Sequence, residues 1–227
     1  MEASAEADEE RKKGMKEGTW TITGNWEIAP NVFRMTLRGD PGDCRVPGQF
    51  VNVKLDGLFL RRPISICDWD QETQVLVYKV VGQGTRQLSE MKPGTELNLL
   101  SGLGNGYDLS RAGDRPLLLG GGVGVPPLLG LARRLREQGK TVTAVLGFNT
   151  GSEIILAEDF QALGCDVRLC TADGSVGVKG FVTDALPEMY SYFYTCGPLP
   201  MLRAVYRAAC TDGQFSLEER MGCGFGA

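Results

Sequence analysis

The sequence of 227 residues contains no histidine. This absence excludes Ser-His-Asp and Cys-His catalytic triads, together with every metal site that needs an imidazole ligand. Reactions in which a bound cofactor carries the chemistry remain open, because the protein then has only to bind and orient that cofactor. The missing histidine therefore directs attention to motifs that bind cofactors.

Excess positive charge, long apolar runs and paired cysteines are also missing. A net charge of −4 and a pI near 5.1 argue against a nucleic-acid partner, because phosphate binding needs a basic face. The most apolar stretch, residues 116–132, is interrupted by glycines and prolines, so we expect no membrane span. Seven cysteines without a disulfide-like framework, and an N-terminus without a signal pattern, predict reduced thiols in the cytoplasm.

Behind a charged tail, residues 1–18, the chain divides into two differently patterned halves. Between residues 19 and 112, apolar and polar side chains alternate with period two, which predicts an antiparallel β-barrel. Between residues 113 and 213, short apolar strands alternate with helical patterns, which predicts an α/β domain with a doubly wound parallel sheet. Residues 214–227 stand apart from both halves.

Two motifs in the first half suggest a phosphate-binding site. Residues 61–65 read Arg-Arg-Pro-Ile-Ser; an arginine can bind a pyrophosphate bidentately, and Pro63 leaves a strand edge open because it has no N–H group. Residues 82–85 read Gly-Gln-Gly-Thr and precede a predicted helix over 86–91, where Thr85 is the expected cap and the glycines let phosphate approach. Each motif alone could be an exposed arginine pair or an ordinary helix cap, but their combination is more specific.

A glycine run, residues 120–124, lies between a predicted strand and a predicted helix. Gly122 and Gly124 match the first two glycines of the dinucleotide motif Gly-x-Gly-x-x-Gly, whereas Pro127 replaces the third. A tight strand-to-helix turn is the alternative interpretation. Residues 141–157 contain no lysine or arginine, which favours NAD over NADP because the 2′-phosphate normally meets an arginine near this point.

Residues 195–198, Thr-Cys-Gly-Pro, follow the last apolar strand of the second half. In a doubly wound sheet this places Cys196 at the carboxyl edge, where ligands bind. Taken alone, a cysteine in this position is more often a small core residue.

In this order, the four motifs resemble those of the ferredoxin–NADP reductase superfamily, over about residues 19–212. Residues 216–227 resemble the entry to the cluster-binding loop of the electron transfer subunits of dihydroorotate dehydrogenase B. The resemblance implies a flavin-binding barrel, a nicotinamide-binding domain and hydride transfer between NAD(H) and FAD. It further implies a [2Fe–2S] cluster facing an FMN-containing catalytic subunit of a hetero-oligomer that acts in pyrimidine biosynthesis.

The same resemblance implies roles for individual residues. Cys196 would lie near the nicotinamide as the catalytic-site residue, and Cys223 would be the first cluster ligand. The FAD would be bound by Arg62, Pro63, Ile64, Ser65, Val77, Tyr78, Lys79, Gly84 and Thr85, and the NAD diphosphate by Gly122 and Gly124.

The spacing Cys-x4-Cys-x2-Cys of plant-type clusters would put the second ligand one position beyond Ala227. Since one thiolate cannot hold a cluster, we expect the polypeptide of residues 1–227 to bind FAD and to lack [2Fe–2S]. Two other functions remain open: the flavin subunit of a hydrogenase or of an NADH–ferredoxin oxidoreductase, and an electron-inert adaptor. Co-purifying proteins and oxidation by orotate test the first, and a colourless protein that binds no FAD would indicate the second.

Overall fold

A computed structural model describes residues 15–217, and within them six antiparallel strands close into a barrel. The order around the barrel is β1-β2-β5-β4-β3-β6. The strands are β1 (Lys16–Ala29), β2 (Val32–Arg38), β3 (Phe50–Val53), β4 (Arg62–Trp69), β5 (Thr73–Lys79) and β6 (Glu96–Leu103).

Alternation along the strands fills the barrel, as the sequence predicted. Met35 and Leu37 of β2 point inward with Val51 and Val53 of β3, and all four side chains are fully buried. The predicted antiparallel barrel is confirmed. The first strand begins earlier than expected. β1 pairs with β6 from Lys16 onward, so its first residues lie within the predicted tail, residues 1–18.

The second half is built on a parallel sheet with the order β10-β9-β8-β7-β11-β12. Its strands, among the described residues, are β7 (Leu117–Gly121), β8 (Thr143–Phe148), β9 (Asp166–Thr171), β10 (Val178–Lys179), β11 (Phe193–Cys196) and β12 (Gly213–Ser216). From the buried strand β7 the chain runs outward through β8 and β9, and it later returns to the opposite side of β7 as β11. This reversal creates a switch point at the carboxyl ends of β7 and β11, the position where such sheets bind ligands.

Strand β12 extends the sheet beyond the predicted boundary at residue 213. Phe193 pairs with Gly213 and Cys196 pairs with Ser216, so residues 213–216 form the edge strand next to β11. The sequence analysis placed residues 214–216 outside both halves, because a four-residue edge strand with one large apolar side chain has no readable periodicity.

The helices are short: α1 (Gln83–Ser89), α2 (Pro127–Glu137), α3 (Ala157–Ala162) and α4 (Leu199–Ala208). None of the helices among residues 15–217 is long and apolar enough to cross a membrane.

Helix α2 joins the barrel to the sheet. Leu128 and Leu131 on its buried face share one core with Cys67 of β4 and Val77 of β5. Gly130 permits the close approach, because a Cβ atom there would lie 3.0 Å from the carbonyl oxygen of Cys67. The contact fixes the position of the barrel motifs, residues 61–65 and 82–85, relative to the glycine run of the sheet.

Candidate cofactor site at the junction of barrel and sheet

The structure brings Arg62 and Gly84 into contact, although 22 positions separate them in the sequence. Arg62 begins β4, and Gly84 is the buried second residue of α1. A Cβ atom on Gly84 would lie only 2.4 Å from Nε of Arg62, so the arginine side chain crosses the first turn of α1 where glycine leaves room. Nη1 of Arg62 also donates a hydrogen bond to the carbonyl of Leu60.

Thr85 stabilises the same turn, but from a position different from the predicted one. The helix begins at Gln83, three residues earlier than expected, and its N-cap is Gly82. Thr85 is therefore the third helical residue, and its Oγ1 reaches back to accept hydrogen bonds from the N–H groups of Val81 (2.9 Å) and Gly82 (3.2 Å). The hydroxyl thus satisfies two backbone donors immediately before the helix, as in a capping box.

Arg61 and Arg62 have different surroundings. Nη2 of Arg61 donates to Oε1 of Glu17 at 2.8 Å, and Nη1 donates to the carbonyl of Asn52 at 3.2 Å. Hydrogen bonds from Asn98 and then from Arg61 hold the pKa of Glu17 below its usual value. Among residues 15–217, no acidic side chain forms an ion pair with Arg62. Of the two arginines, Arg62 has the charge available for an anionic ligand.

The residues after Arg62 alternate between surface and core. Pro63 is exposed opposite Asn52, and Ser65 is half-buried opposite Phe50 of β3. Ile64 points into the barrel core instead. The side chains of Pro63 and Ser65 are therefore accessible to a ligand lying on this edge, whereas that of Ile64 is not.

Residues 77–79 at the end of β5 are mostly packed inside the protein. Val77 lies in the core shared with α2, whereas Tyr78 lies in the barrel core and stacks on Phe33 with 5.9 Å between ring centroids. Burial raises the pKa of Tyr78. Lys79 alone of the three is partly exposed.

Asn25 of β1 is a supporting residue that sequence reasoning missed. Its Nδ2 donates to the carbonyls of Leu88 (2.9 Å) and Met91 (3.0 Å) at the end of α1, and its Oδ1 accepts a hydrogen bond from the Tyr78 hydroxyl (3.0 Å). One side chain thereby ties α1 to the barrel. No sequence signal could have found it, because the contact forms only when the barrel closes.

The two glycines predicted to bind the NAD diphosphate have different environments. Gly122 has φ +53° and no atom within 4 Å of a Cβ built on it, so it is a glycine-type backbone position facing open space. A Cβ atom on Gly124 would lie 2.3 Å from the carbonyl oxygen of Cys196. Gly124 therefore allows the turn after β7 to pack directly against the turn after β11.

Cys196 ends β11, half-buried, and pairs with Gly120 on one side and Ser216 on the other. The close packing at Gly124 places the thiol-bearing residue beside the glycine run. The structure thus gathers Gly122, Gly124 and Cys196 at the carboxyl edge of the sheet.

Tyr107 is a second residue that sequence reasoning missed. It is 4% exposed, its ring packs on Gly48, and it meets Tyr194 edge-to-face with 5.5 Å between ring centroids. Its hydroxyl is next to Cys196 and Ser216, and burial raises the pKa of Tyr107 well above the usual value. The preceding Gly-Asn-Gly turn, residues 104–106, was the only available signal.

Phe50 packs between β4, the strand that begins with Arg62, and the segment that leads to the parallel sheet. Phe50 pairs with Ser65 of β4 and with Leu103 of β6, and its ring would lie 3.1 Å from a Cβ atom on Gly104. Three residues later the chain reaches Tyr107. The barrel motifs and the carboxyl edge of the sheet are therefore linked by a short packed path.

Two cavities border the C-terminal half of α2, and the predicted cofactor residues line neither of them. One, of about 470 Å³, lies between the loop at Pro47, Tyr107 and Arg134. The other, of about 540 Å³, lies between Trp69 and Arg133. Tyr107, beside Cys196, is the one residue of the candidate site that borders a cavity.

The predicted metal ligand Cys223 lies outside the described residues. Among residues 15–217, no three His, Cys, Asp or Glu side chains are grouped so as to hold a metal ion. Burial raises the pKa of Cys44 to about 12 and the pKa values of Cys165 and Cys170 to about 11. These three thiols stay protonated at neutral pH and are poor ligands.

Known proteins resemble this chain in sequence and in fold. No protein-family model matches the chain. The dihydroorotate dehydrogenase B (NAD(+)) electron transfer subunit of Fusobacterium nucleatum subsp. nucleatum is 41% identical over 228 residues, covering 94% of this chain and 88% of the relative. The corresponding subunit of Lysinibacillus sphaericus is 44% identical over 220 residues, covering 91% of this chain and 84% of the relative. The structure of an NADH-dependent reduced ferredoxin-NADP oxidoreductase superposes with a TM-score of 0.80 at 30% identity, covering 92% of this chain and 79% of that one.

Proposed function

Since this chain belongs to the family of dihydroorotate dehydrogenase B (NAD(+)) electron transfer subunits, we propose that it moves electrons between NAD(H) and FAD. The observation that carries the proposal is the contact between Arg62 and Gly84, which joins the two phosphate-binding motifs into one corner. The contact needs glycine at position 84, and Arg62 there has no acidic partner among the described residues.

We propose that Arg62 binds the FAD pyrophosphate and that Thr85 keeps the first turn of α1 in place for it. A guanidinium group offers paired N–H donors to phosphate oxygens. Pro63 and Ser65 on the surface of β4 would border the flavin, and Lys79 would lie beside it. Ile64, Val77, Tyr78 and Gly84 would act from beneath, by shaping the barrel wall and the helix against which FAD rests.

At the sheet, we propose that Gly122 admits the NAD diphosphate, because its positive φ and open surroundings leave the backbone accessible. Gly124 would act by holding Cys196 close to the glycine run, and Cys196 would border the nicotinamide. Bound FAD and NAD(H) supply the hydride chemistry themselves. The residues of this chain then have only to bind, align and exclude water, which agrees with the absence of histidine.

We further propose NAD(H) rather than NADP(H) as the nicotinamide. Residues 141–157 contain no lysine or arginine. The loop after β8 contains a carboxylate, that of Glu153. It accepts hydrogen bonds from the backbone and side-chain amides of Asn149. A carboxylate near the adenosine ribose disfavours a 2′-phosphate by charge repulsion.

The remaining parts of the proposal follow from family membership. In the assembled enzyme, Cys223 would be the first ligand of a [2Fe–2S] cluster that exchanges electrons with an FMN-containing catalytic subunit acting on dihydroorotate. The compartment would be the cytoplasm, in keeping with the absence of disulfides among the six described cysteines.

The visible spectrum of the purified 1–227 polypeptide, before and after NADH or NADPH, tests the proposal. We expect flavin bands, rapid bleaching by NADH, slow bleaching by NADPH and diaphorase activity toward artificial acceptors. A colourless protein that binds no added FAD would overturn the electron-transfer proposal. Co-purification with a catalytic subunit, and reoxidation of the reduced complex by orotate, would separate this function from that of a hydrogenase or ferredoxin reductase subunit.

A further inference from the structure

Tyr107 has a buried hydroxyl that makes no well-formed hydrogen bond within residues 15–217. A buried polar group without a partner is costly, and the cost is removed at once if phenylalanine replaces tyrosine. With phenylalanine at position 107 the protein should be at least as stable. The tyrosine hydroxyl therefore has a role other than stability.

The backbone around Tyr107 is firmly held, so the unpaired hydroxyl is not the result of a loose loop. Its N–H donates to the carbonyl of Pro47 at 2.8 Å. On either side, Gln214 of β12 accepts from the N–H of Asp108 (2.8 Å) and donates to the carbonyl of Gly106 (3.0 Å). The ring is therefore fixed between the barrel and the strands β11 and β12.

The neighbours of the hydroxyl are Cys196 and Ser216, which pair with each other across β11 and β12. Cys196 is also the residue whose carbonyl packs against Gly124 of the glycine run. A group that fixes the Cys196 side chain would therefore act on the edge of the sheet where the nicotinamide is proposed to bind.

We propose that Tyr107 is a positioning residue for hydride transfer, acting through a hydrogen bond that its hydroxyl makes with the thiol of Cys196 when the nicotinamide is bound. The inference rests on the proposed function, because it assigns the nicotinamide to the Cys196 edge. A hydroxyl can rotate its hydrogen toward either neighbour and can equally accept a hydrogen bond from the thiol. The bond would hold the Cys196 side chain in one orientation, so that a nicotinamide bound at this edge is positioned for hydride transfer.

The test compares Tyr107→Phe with Tyr194→Phe, a matched control on the neighbouring ring. Tyr194 is fully buried and its hydroxyl donates to the carbonyl of Asp108 at 2.8 Å, so this tyrosine has a structural bond to lose. We expect Tyr107→Phe to keep or raise the Tm of the FAD-free protein, and Tyr194→Phe to lower it. In stopped-flow reduction of the bound flavin by NADH, Tyr107→Phe should slow the hydride step roughly tenfold with little change in the Kd of NADH.

A double-mutant cycle with Cys196→Ala identifies the neighbour through which Tyr107 acts. If the thiol mediates the effect, the double variant should be reduced at the rate of Cys196→Ala alone. Additive losses would overturn the inference, and so would a Tm of Tyr107→Phe that falls as far as that of Tyr194→Phe. If NADH reduces the flavin of the unmodified protein, and reduces that of Tyr107→Phe at the same rate, only this inference is refuted. An unmodified FAD-loaded protein that NADH fails to reduce would refute the proposed function itself.

Discussion

Gly82 and Gly84 lie two positions apart in the same turn, and the structure gives them different roles. A Cβ atom on Gly84 meets the Arg62 side chain at 2.4 Å, whereas one on Gly82 meets no atom within 4 Å. Gly82 is also extended, with φ −171°, a backbone conformation that any residue adopts. Only the second glycine of the motif is therefore needed for the proposed pyrophosphate corner.

At the residue scale we expect Gly84→Ala to weaken FAD binding about tenfold or more, equivalent to about 1.4 kcal/mol. The new methyl group displaces Arg62 from the helix, but the flexible arginine can move aside, so the fold should be retained. Absorbance titration of the FAD-free protein with FAD measures the effect. Gly82→Ala is the control and should bind FAD nearly as well as the unmodified chain; equal losses in both variants would contradict the role given to Arg62.

At the element scale, helix α2 is fixed to the barrel by an ion pair at its exposed side. Nε of Arg133 donates to Oδ2 of Asp68 at 2.9 Å and Nη2 donates to the same oxygen at 2.5 Å. The Asp68 side chain is only 13% exposed. The hydrogen bonds that Arg133 donates to Asp68 raise the pKa of Arg133. A carboxylate so little exposed to water depends on this arginine.

We expect Asp68→Asn to lower the free energy of unfolding by about 1 to 2 kcal/mol, between the values typical of surface and buried pairs. Asp114→Asn is an isosteric control, because Asp114 pairs with Lys140 while its own side chain is 97% exposed. That change should cost at most about 0.5 kcal/mol. Urea unfolding followed by tryptophan fluorescence measures both, and equal effects would show that the contact between α2 and the barrel depends on apolar packing alone.

At the scale of the whole molecule, the absence of histidine and the burial of cysteines together determine how stability varies with pH. Burial raises the pKa of Cys67 as well as those of Cys44, Cys165 and Cys170. In the unfolded chain these thiols titrate at their ordinary pKa, so above it the folded state binds more protons than the unfolded state. Stability must then fall as the pH rises.

We expect the urea midpoint to be nearly constant between pH 6 and 8, since no imidazole titrates there, and to fall from about pH 9 to pH 11 and above. The contribution of the thiols is complete below the unfolded pKa and is lost as the pH rises through the folded values. Cys67→Ala should make this alkaline decrease shallower by about one proton. A slope identical to that of the unmodified chain would assign the decrease to tyrosines such as Tyr78, whose pKa is also raised by burial.

The sequence by itself determined the architecture and the location of the motifs. Period-two alternation around Met35 and Leu37 predicts the barrel, because its strands bury one face. Short apolar strands between helices predict the parallel sheet, because its strands bury both faces. The Arg-Pro-Ile-Ser and glycine motifs are likewise local, since a phosphate site needs particular backbone freedom and charge within a few residues.

Only the tertiary structure decided which residues of those motifs are accessible at the surface and which are packed inside the protein. Gly124 serves the contact with Cys196, Tyr78 is part of the barrel core, and Arg62 meets Gly84 across β4 and α1. The roles of Asn25, Tyr107 and strand β12 depend on contacts between residues that are 63, 89 and 20 positions apart. Such contacts form after strands pair and the barrel closes, and no periodicity within one segment encodes them.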